Sequence, residues 1–239
     1  MKNIYKRVEL NMNEFAEKQV WWSNCATEQQ MQDAKKGMIN LPLGIKRCVP
    51  DDWLGDVRNK SILCLAGAGG LQAPILASAG ANVTVLDISE KMLDNDIKIA
   101  EKYGLNIRIE HGNMEDLSRF TDSSFDLIIN PVSLCYVPSV LPVFKECYRV
   151  LKTGGKLILA APSPMNYACD YIEDENGGYY KAVNRMPYSS KDGEWIEFGH
   201  TMENYIGGQI ACGFTITGFI EDQFDDITEL FFMTRAEKQ

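Results

Sequence analysis

The chain has 239 residues, of which 45% are hydrophobic and 24% are charged, and its formal net charge is −9 at neutral pH. This length suits one large domain, or a core domain with an appended cap. The acidic balance argues against nucleic acids and anionic membranes as partners, because the chain offers no basic patch that would neutralise phosphate groups.

The seven cysteines are odd in number and include no Cys-x-x-Cys pair. No apolar signal-peptide segment follows Met1, and no apolar run reaches membrane-spanning length. We therefore expect a cytoplasmic protein with reduced thiols and no membrane partner. A zinc site needs clustered cysteine and histidine ligands, and the chain has only two histidines, so we predict no metal.

Residues 1–58 contain no convincing strand pattern, and we expect them to form a helical cap segment. Helical spacing predicts a first, amphipathic helix near 13–24, whose face contains Phe15, Ala16, Gln19, Val20 and Trp22. A second helix is expected near 26–37, before Pro42 and Pro50 break the pattern.

From Ser61 onward, apolar strands and amphipathic helices alternate, which indicates a parallel sheet covered on both faces. Leu93, Ile97 and Ala100 form the expected apolar face of one helix. We expect the Gly154-Gly155 pair to end the last helix of this series. The strands are expected at 61–66, 82–87, 106–111, 124–130 and 155–161, and the helices at about 71–80, 90–103 and 138–151.

After the fifth strand the pattern changes. Residues 163–200 are rich in tyrosine, glycine and acidic side chains, and we expect them to form an inserted cap. A helix at about 201–212 and strands near 214–221 and 228–235 complete the chain. The prediction is a Rossmann-like, doubly wound α/β sheet of seven strands within a domain at 59–239, with five parallel strands and a C-terminal antiparallel hairpin.

The turn after the first strand consists of small residues, Gly67-Ala68-Gly69-Gly70, and Asp87 ends the second strand about 20 residues later. Small residues let backbone N–H groups approach a ligand, and an acid at this spacing accepts hydrogen bonds from ribose hydroxyls. The pattern predicts a nucleotide-cofactor site. Gln72 replaces the third glycine of the dinucleotide pattern, so a nicotinamide-dependent oxidoreductase is the less favoured alternative.

Three further motifs extend this pattern. They are Gly112-Asn113-Met114-Glu115 after the third strand, Asn130-Pro131-Val132-Ser133 after the fourth, and Tyr148-Arg149-Val150-Leu151-Lys152-Thr153-Gly154-Gly155 before the fifth. Over roughly residues 60–161 the chain thereby resembles the class I S-adenosylmethionine-dependent methyltransferases, of the type related to ubiquinone and menaquinone biosynthesis enzymes. Through Pro187-Tyr188-Ser189 and His200-Thr201-Met202-Glu203, the parts outside this range resemble a subgroup of small, largely uncharacterised bacterial methyltransferases.

The resemblance implies S-adenosylmethionine as cofactor and S-adenosylhomocysteine as product. The turn Ala66-Gly67-Ala68-Gly69-Gly70 would wrap the methionine part of the cofactor, and Asp87 would hold the ribose hydroxyls. The other implied contacts are Ile88 and Met92 against the adenine, Asn113 and Met114 at its edge, and Asn130, Pro131 and Val132 near the sulfonium. Gln72, Glu115 and Trp22 are further candidates for contact with the cofactor, and packing in the core is the alternative for Trp22.

The chain also departs from the family. The family's first strand usually carries Asp or Glu where Cys64 stands, which leaves open how the ammonium group of the cofactor is held. Ala66 and Ala68 replace the family's first and second glycines. A methyl group is compatible with this turn where φ is negative, so we expect binding to be retained.

The predicted reaction is methyl transfer to an unidentified small-molecule acceptor, which the chain has chiefly to align with the methyl group. His200 and Tyr136 are the candidates for a catalytic role. The alternative for His200 is a structural role at the start of a helix that Thr201 caps. A non-catalytic S-adenosylmethionine-binding or regulatory protein is the second function class left open. The tyrosine-rich cap could equally close a homodimer interface.

Overall fold

The computed structural model describes residues 2–20, 23–67, 69–175, 177–182, 196–223 and 230–239. These residues form a seven-stranded sheet with helices on both faces, and a separate two-stranded hairpin. The strands are β1 (Ser61–Leu65), β2 (Asn82–Asp87), β3 (Ile107–His111), β4 (Phe125–Asn130), β5 (Leu151–Pro162), β6 (Cys169–Asp174), β7 (Gly177–Ala182), β8 (Phe214–Asp222) and β9 (Phe231–Lys238).

The helices include a 3-10 turn at Leu134–Tyr136 and a π-helical segment at Glu203–Gly207. Within the described ranges, no helix is both long and apolar enough to cross a membrane. The α-helices are α1 (Lys2–Glu17), α2 (Glu28–Lys35), α3 (Asp51–Leu54), α4 (Gln72–Ser78), α5 (Glu90–Tyr103), α6 (Leu141–Val150), α7 (Met165–Ala168) and α8 (Gly208–Ala211).

The main sheet has the strand order β3-β2-β1-β4-β5-β9-β8. Strands β1 to β5 pair in parallel, while β9 pairs antiparallel with both β5 and β8. This confirms the predicted doubly wound sheet with its C-terminal antiparallel pair. The order in which strands are added reverses between β1 and β4, and open sheets of this kind bind ligands at that switch point.

Side chains along β1 alternate between the two faces of the sheet, as the period of two requires. Ile62 and Cys64 pack against α2, α4 and α5, whereas Leu63 and Leu65 pack on the opposite face with α6. All four side chains are completely buried. A Leu→Ala substitution at such a position costs about 2–5 kcal/mol, so β1 is firmly anchored beneath the switch point.

The expected position of the first helix was wrong. Helix α1 ends at Glu17 instead of covering 13–24, because Gln19 adopts a left-handed backbone conformation with φ 49°. The buried face of α1 is formed by Val8 and Met12, one turn apart. Helix α1 therefore overlaps the expected helix only over 13–17, and of the predicted face it contains only Phe15 and Ala16.

The role expected for Gly154 and Gly155 was also wrong. Helix α6 passes directly into β5 at Leu151, so the two glycines lie inside a strand and do not cap a helix. Gly154 has φ 74°, and the register between β4 and β5 shifts here. The motif therefore forms an irregularity at the start of β5, where glycine accommodates the unusual backbone.

The inserted cap is described in part. Helix α7 and the β6–β7 hairpin belong to it, while residues 183–195 lie outside the described residues. The helix expected at 201–212 is composed of the π-helical segment followed by α8. Thr201 caps its start, since the Thr201 Oγ1 accepts the N–H of Asn204 at 3.1 Å.

Candidate active site

A small cavity opens at the carboxyl ends of β1, β2 and β3, next to the switch point of the sheet. The empty space within it, including the part open to solvent, is ≈ 300 Å³. Helix α1 forms part of the cavity wall through Tyr5 and Val8 and so covers the cavity. The sequence analysis selected six of the lining residues, and Tyr5, Val8, Leu86, Gly112 and Val137 are additions. The lining residues are Tyr5, Val8, Ala66, Leu86, Asp87, Ile88, Gly112, Asn113, Met114, Tyr136 and Val137.

The glycine turn is clamped onto α5. Gly69 and Gly70 have φ of 83° and 93°, conformations that favour glycine. A Cβ on Gly69 would lie 3.0 Å from the Met92 Sδ, and one on Gly70 would lie 3.2 Å from the Ile99 Cδ1. Neither position leaves room for a side chain, so a ligand at this turn would contact its backbone atoms.

Ala66 has a strained backbone. Its φ is 53°, so the negative φ on which tolerance of a methyl group depends is not present at this residue. The Ala66 N–H donates a hydrogen bond to the Leu86 carbonyl at 2.7 Å, which ties the end of β1 to β2. Alanine thus occupies a left-handed position in the cavity wall, held by this hydrogen bond.

Replacing Ala66 by glycine is expected to raise the free energy of unfolding by about 1 kcal/mol, because the Cβ strain disappears. For a chain of this size, that change raises the melting temperature by about 2–4 °C. The same substitution at Ala77, on α4, is the control, and it should lower stability by about 1 kcal/mol. Thermal unfolding measures both variants. A lower melting temperature for Ala66→Gly would contradict the strain at this residue.

Asp87 is presented to the cavity in one fixed orientation. It is 6% exposed, and its Oδ1 accepts the N–H of Ser89 at 2.8 Å. Ser89 is the N-cap of α5, since its Oγ accepts the Met92 N–H at 3.1 Å, and it also donates to the Asn13 Oδ1 at 2.7 Å. The carboxyl at the end of β2 is therefore held by the start of α5, which in turn contacts α1.

Tyr5 covers the turn that follows β3. Its hydroxyl donates a hydrogen bond to the Glu115 Oε2. The Asn113 Oδ1 accepts the Glu115 N–H at 3.0 Å, which closes the turn. Burial and the neighbouring Glu115 carboxylate raise the pKa of Tyr5 to about 12. Tyr5 therefore stays protonated near neutral pH and remains a hydrogen-bond donor.

Asn130 ends β4 with an unsatisfied amide oxygen. The residue is 1% exposed, and its Nδ2 donates to the Leu65 carbonyl at 2.9 Å and to the Ser133 Oγ at 2.8 Å. These two acceptors fix the orientation of the amide, and the Oδ1 has no partner among the described residues. Leaving a buried acceptor unpaired costs about 1–3 kcal/mol, so Asn130 is suited to receive a donor from a ligand.

A second polar cluster lies beside Tyr136 and centres on Glu197, which the sequence analysis did not select. The Tyr136 hydroxyl donates a hydrogen bond to Glu197, and the Tyr167 hydroxyl lies near enough to the same carboxyl to lower its pKa. The Phe198 N–H donates to the Cys135 carbonyl at 2.6 Å and anchors this segment on the 3-10 turn. Burial raises the pKa of Glu197, and the two tyrosine hydroxyls offset only part of that rise.

Tyr205 extends this cluster with a second unsatisfied group. Its side chain is completely buried, and its hydroxyl has no partner among the described residues. Glu197 and Cys135 both act electrostatically on this hydroxyl, so it lies near them. A buried hydroxyl without a partner beside a desolvated carboxyl is suited to a polar ligand group.

His200 is engaged with the backbone. It is 5% exposed, and its Nε2 is hydrogen-bonded to the Val137 carbonyl at 2.9 Å. Its ring packs edge-to-face against Tyr205, with 5.5 Å between the centroids. Burial lowers the pKa of His200, so the ring is neutral near pH 7 and the Nε2 carries the proton. This arrangement favours the structural alternative for His200.

Several expected cofactor residues do not line the cavity. Gln72 is buried, and its Nε2 donates to the Pro42 carbonyl at 2.9 Å, so it fastens the N-terminal segment to α4. Ala68 and Trp22 lie outside the described residues. The other expected residues outside the cavity lining are Gly67, Gly69, Gly70, Met92, Glu115, Asn130, Pro131 and Val132.

Comparison with known proteins gives consistent results. Residues 63–159 match the family described as a methyltransferase domain. The chain is 41% identical over 234 residues to the uncharacterized methyltransferase YbaJ of Bacillus subtilis (strain 168), covering 91% of each chain. It is 34% identical over 147 residues to a ubiquinone biosynthesis O-methyltransferase of Coxiella burnetii (strain Dugway 5J108-111), covering 62% of this chain and 60% of that one. The crystal structure of an S-adenosylmethionine dependent methyltransferase from Mesorhizobium loti has a TM-score of 0.67 at 21% identity, covering 78% of this chain and 94% of that one.

Proposed function

We propose a cofactor site and an acceptor class for this chain, which belongs to the S-adenosylmethionine-dependent methyltransferases. The chain transfers the methyl group of S-adenosylmethionine to an acceptor that is not identified. Its resemblance to this family is confirmed, and the oxidoreductase and non-catalytic alternatives are set aside.

The cavity residues fit the adenosine part of the cofactor. In our proposal the buried Asp87 accepts hydrogen bonds from the ribose hydroxyls, with Ile88 and Met114 against the adenine and Asn113 at its edge. Support comes from the cavity, which brings these four residues together from the ends of two strands. The glycine turn, where a Cβ would clash with α5, provides the close backbone approach that the methionine part needs.

The acceptor site that we propose is the cluster formed by Glu197, Tyr136, Tyr167 and Tyr205. Tyr136 connects the two sites, because it lines the cofactor cavity and also hydrogen-bonds Glu197. The observation that carries the proposal is a desolvated carboxyl that accepts a hydrogen bond from Tyr136, a residue of the cavity wall. An acceptor with an N–H or O–H group matches this carboxyl. The O-methyltransferase name of the Coxiella burnetii relative agrees with that class.

In the proposed mechanism, Glu197 removes the proton of the acceptor. Bound S-adenosylmethionine would supply the activated methyl group and would leave as S-adenosylhomocysteine. The acceptor's N–H or O–H bond breaks as its heteroatom forms the new bond to carbon, and the proton passes to a Glu197 oxygen. Tyr136 holds that carboxylate by its hydrogen bond and Tyr167 lies beside it, and burial raises the pKa of both hydroxyls, so both stay protonated. The surrounding apolar side chains exclude water.

The acceptor class is tested by screening the purified chain with methyl-labelled S-adenosylmethionine. One panel contains catechols, phenols and small amines, and a second contains thiols and carbon acids. We expect label transfer and S-adenosylhomocysteine formation with members of the first panel only. Transfer confined to thiols or carbon acids would contradict the role of Glu197 as proton acceptor.

We also propose that residues 1–58 form a cap on the methyltransferase domain at 59–239. Helix α1 supports this division, because it covers the cavity through Tyr5 and contacts α5 through Asn13. The cap would then slow the release of the cofactor. The proposed location is the cytoplasm, in agreement with the six free cysteines among the described residues, and a homodimer through the tyrosine-rich insertion stays a proposal.

Tyr5→Phe is expected to weaken the binding of S-adenosylhomocysteine about threefold to tenfold, because the hydrogen bond that holds α1 over the cavity is lost. Stopped-flow measurements should show the loss mainly as faster dissociation. Tyr179→Phe in the β6–β7 hairpin, where the side chain is 49% exposed, is the control. It should change neither the association rate nor the dissociation rate of S-adenosylhomocysteine. Equal dissociation rates for Tyr5→Phe and the unaltered chain would argue against the cap.

A further inference from the structure

Asp96 is a buried carboxyl without a compensating charge. It lies on α5 and is 1% exposed. Neither of its oxygens has a hydrogen bond of normal geometry among the described residues, although the Gly70 N–H lies close enough to lower the pKa slightly. Burial and the nearby Asp87 outweigh that contact and raise the pKa of Asp96. The described residues supply no ion pair to Asp96.

Such a group is unfavourable in the ligand-free protein. A buried carboxylate costs several kcal/mol unless it is paired, and a neutral carboxylic acid still leaves polar atoms unsatisfied. An alanine or leucine would serve the packing of α5 better at this position. Desolvated, unpaired acids that persist in this way concentrate at binding and catalytic sites.

Asp96 lies against the glycine turn, since the Gly70 N–H is close to its carboxyl. A Cβ on Gly70 would lie 3.4 Å from the carbonyl carbon of Asn95, the residue before Asp96, so turn and helix are in direct contact. The charge of Asp96 also acts on Cys64, which lies near the end of β1 and just before this turn. Burial raises the pKa of the Cys64 thiol, so this residue of β1 is neutral and carries no charge of its own.

We propose that Asp96 is the partner of the α-ammonium group of the cofactor, and this inference rests on the cofactor site proposed above. Two oxygens without hydrogen bonds require N–H donors as well as a positive charge. An ammonium group has three such donors, whereas a sulfonium has none. The ammonium belongs to the methionine part, which is the part expected at the glycine turn. Helix α5 thereby supplies the negative charge that β1 lacks at Cys64.

The test compares two ligands by calorimetry, S-adenosylhomocysteine and its deamino analogue, in which hydrogen replaces the α-amino group. A charged hydrogen-bonded pair contributes about tenfold to a hundredfold in affinity, so the unaltered chain should prefer S-adenosylhomocysteine by that factor. In Asp96→Asn, which preserves shape, the preference should fall to nearly one. Asp87→Asn is the control, because it should weaken both ligands equally and keep the preference.

A second readout separates this role from a purely structural one. Without ligand, Asp96→Asn should melt at a higher temperature than the unaltered chain, since the buried unpaired carboxyl is removed. The rise in melting temperature that S-adenosylhomocysteine produces should be smaller in this variant than in the unaltered chain. An unaltered chain that binds both ligands equally, or an Asp96→Asn variant that keeps the preference, would overturn the inference and leave the cofactor site intact. An unaltered chain that binds neither ligand would overturn the cofactor site and the inference together.

Discussion

Asp87→Ala is expected to raise the Kd for S-adenosylhomocysteine by at least about a hundredfold. A hydrogen bond to a charged group contributes about 1.5–3 kcal/mol, and two ribose hydroxyls would lose this partner together. Each 1.4 kcal/mol corresponds to about a factor of ten in affinity. Calorimetric titration of the unaltered chain and the variant with S-adenosylhomocysteine measures the difference directly.

Two further variants keep the result interpretable. The Asp87 Oδ1 also accepts the Ser89 N–H, so Asp87→Asn, which retains one oxygen, distinguishes lost ligand contacts from a disturbed start of α5. Asp94→Ala removes an exposed carboxylate from the same helix and should bind normally. A well-folded Asp87→Ala variant with undiminished affinity would remove Asp87 from the ribose site. Failure of the unaltered chain to bind would contradict the proposed cofactor site.

The sheet and the cofactor half of the site could be predicted from the sequence because both are encoded locally. Continuous apolar runs bounded by turn residues placed β1, β2, β3 and β4 within one residue of their observed bounds. The position of Asp87 in the site could be predicted in the same way, because the carboxyl ends of parallel strands lie at one edge of the sheet. Its spacing from Gly67 is set by one helix and one strand.

The remaining parts depend on contacts between distant segments. Tyr5 reaches Glu115 across 110 positions of the sequence, and no local pattern marks either residue for this contact. On α5 the predicted apolar face was wrong in part, because Ile97 is 37% exposed whereas Asp96 is buried. An acidic residue on an amphipathic helix is normally predicted to lie on the solvent-exposed face, so only the fold distinguishes Asp96 from its exposed neighbours.

Glu197 was missed for a related reason. It follows a segment with no regular hydrophobic period, and its partners Tyr136 and Tyr167 come from two other parts of the chain. His200, three residues later, was considered because a histidine stands at the start of the helix after the cap. In the structure a backbone carbonyl accepts the hydrogen bond of His200, whereas Glu197 has a desolvated carboxyl beside two tyrosine hydroxyls.

Glu197→Gln is expected to lower kcat by about a hundredfold to ten-thousandfold, the usual contribution of a positioned proton acceptor. Glutamine preserves the shape and can still accept a hydrogen bond from Tyr136, but it cannot take up the proton. The affinity for S-adenosylhomocysteine should therefore stay within about twofold of the original value. Glu203→Gln, which alters an exposed carboxylate at the start of the π-helical segment, is the matched control and should keep full activity.

The pH profile separates proton transfer by Glu197 from mere support of the pocket. Glu197 acts as a base only when ionised, and burial raises its pKa above that of an ordinary glutamate. Activity of the unaltered chain should therefore fall as the pH drops through this raised pKa, at a higher pH than an exposed glutamate would produce. The residual activity of Glu197→Gln should lack that acid limb, because glutamine does not titrate. A variant that loses activity but keeps the acid limb would assign the proton to another group and leave Glu197 a positioning residue.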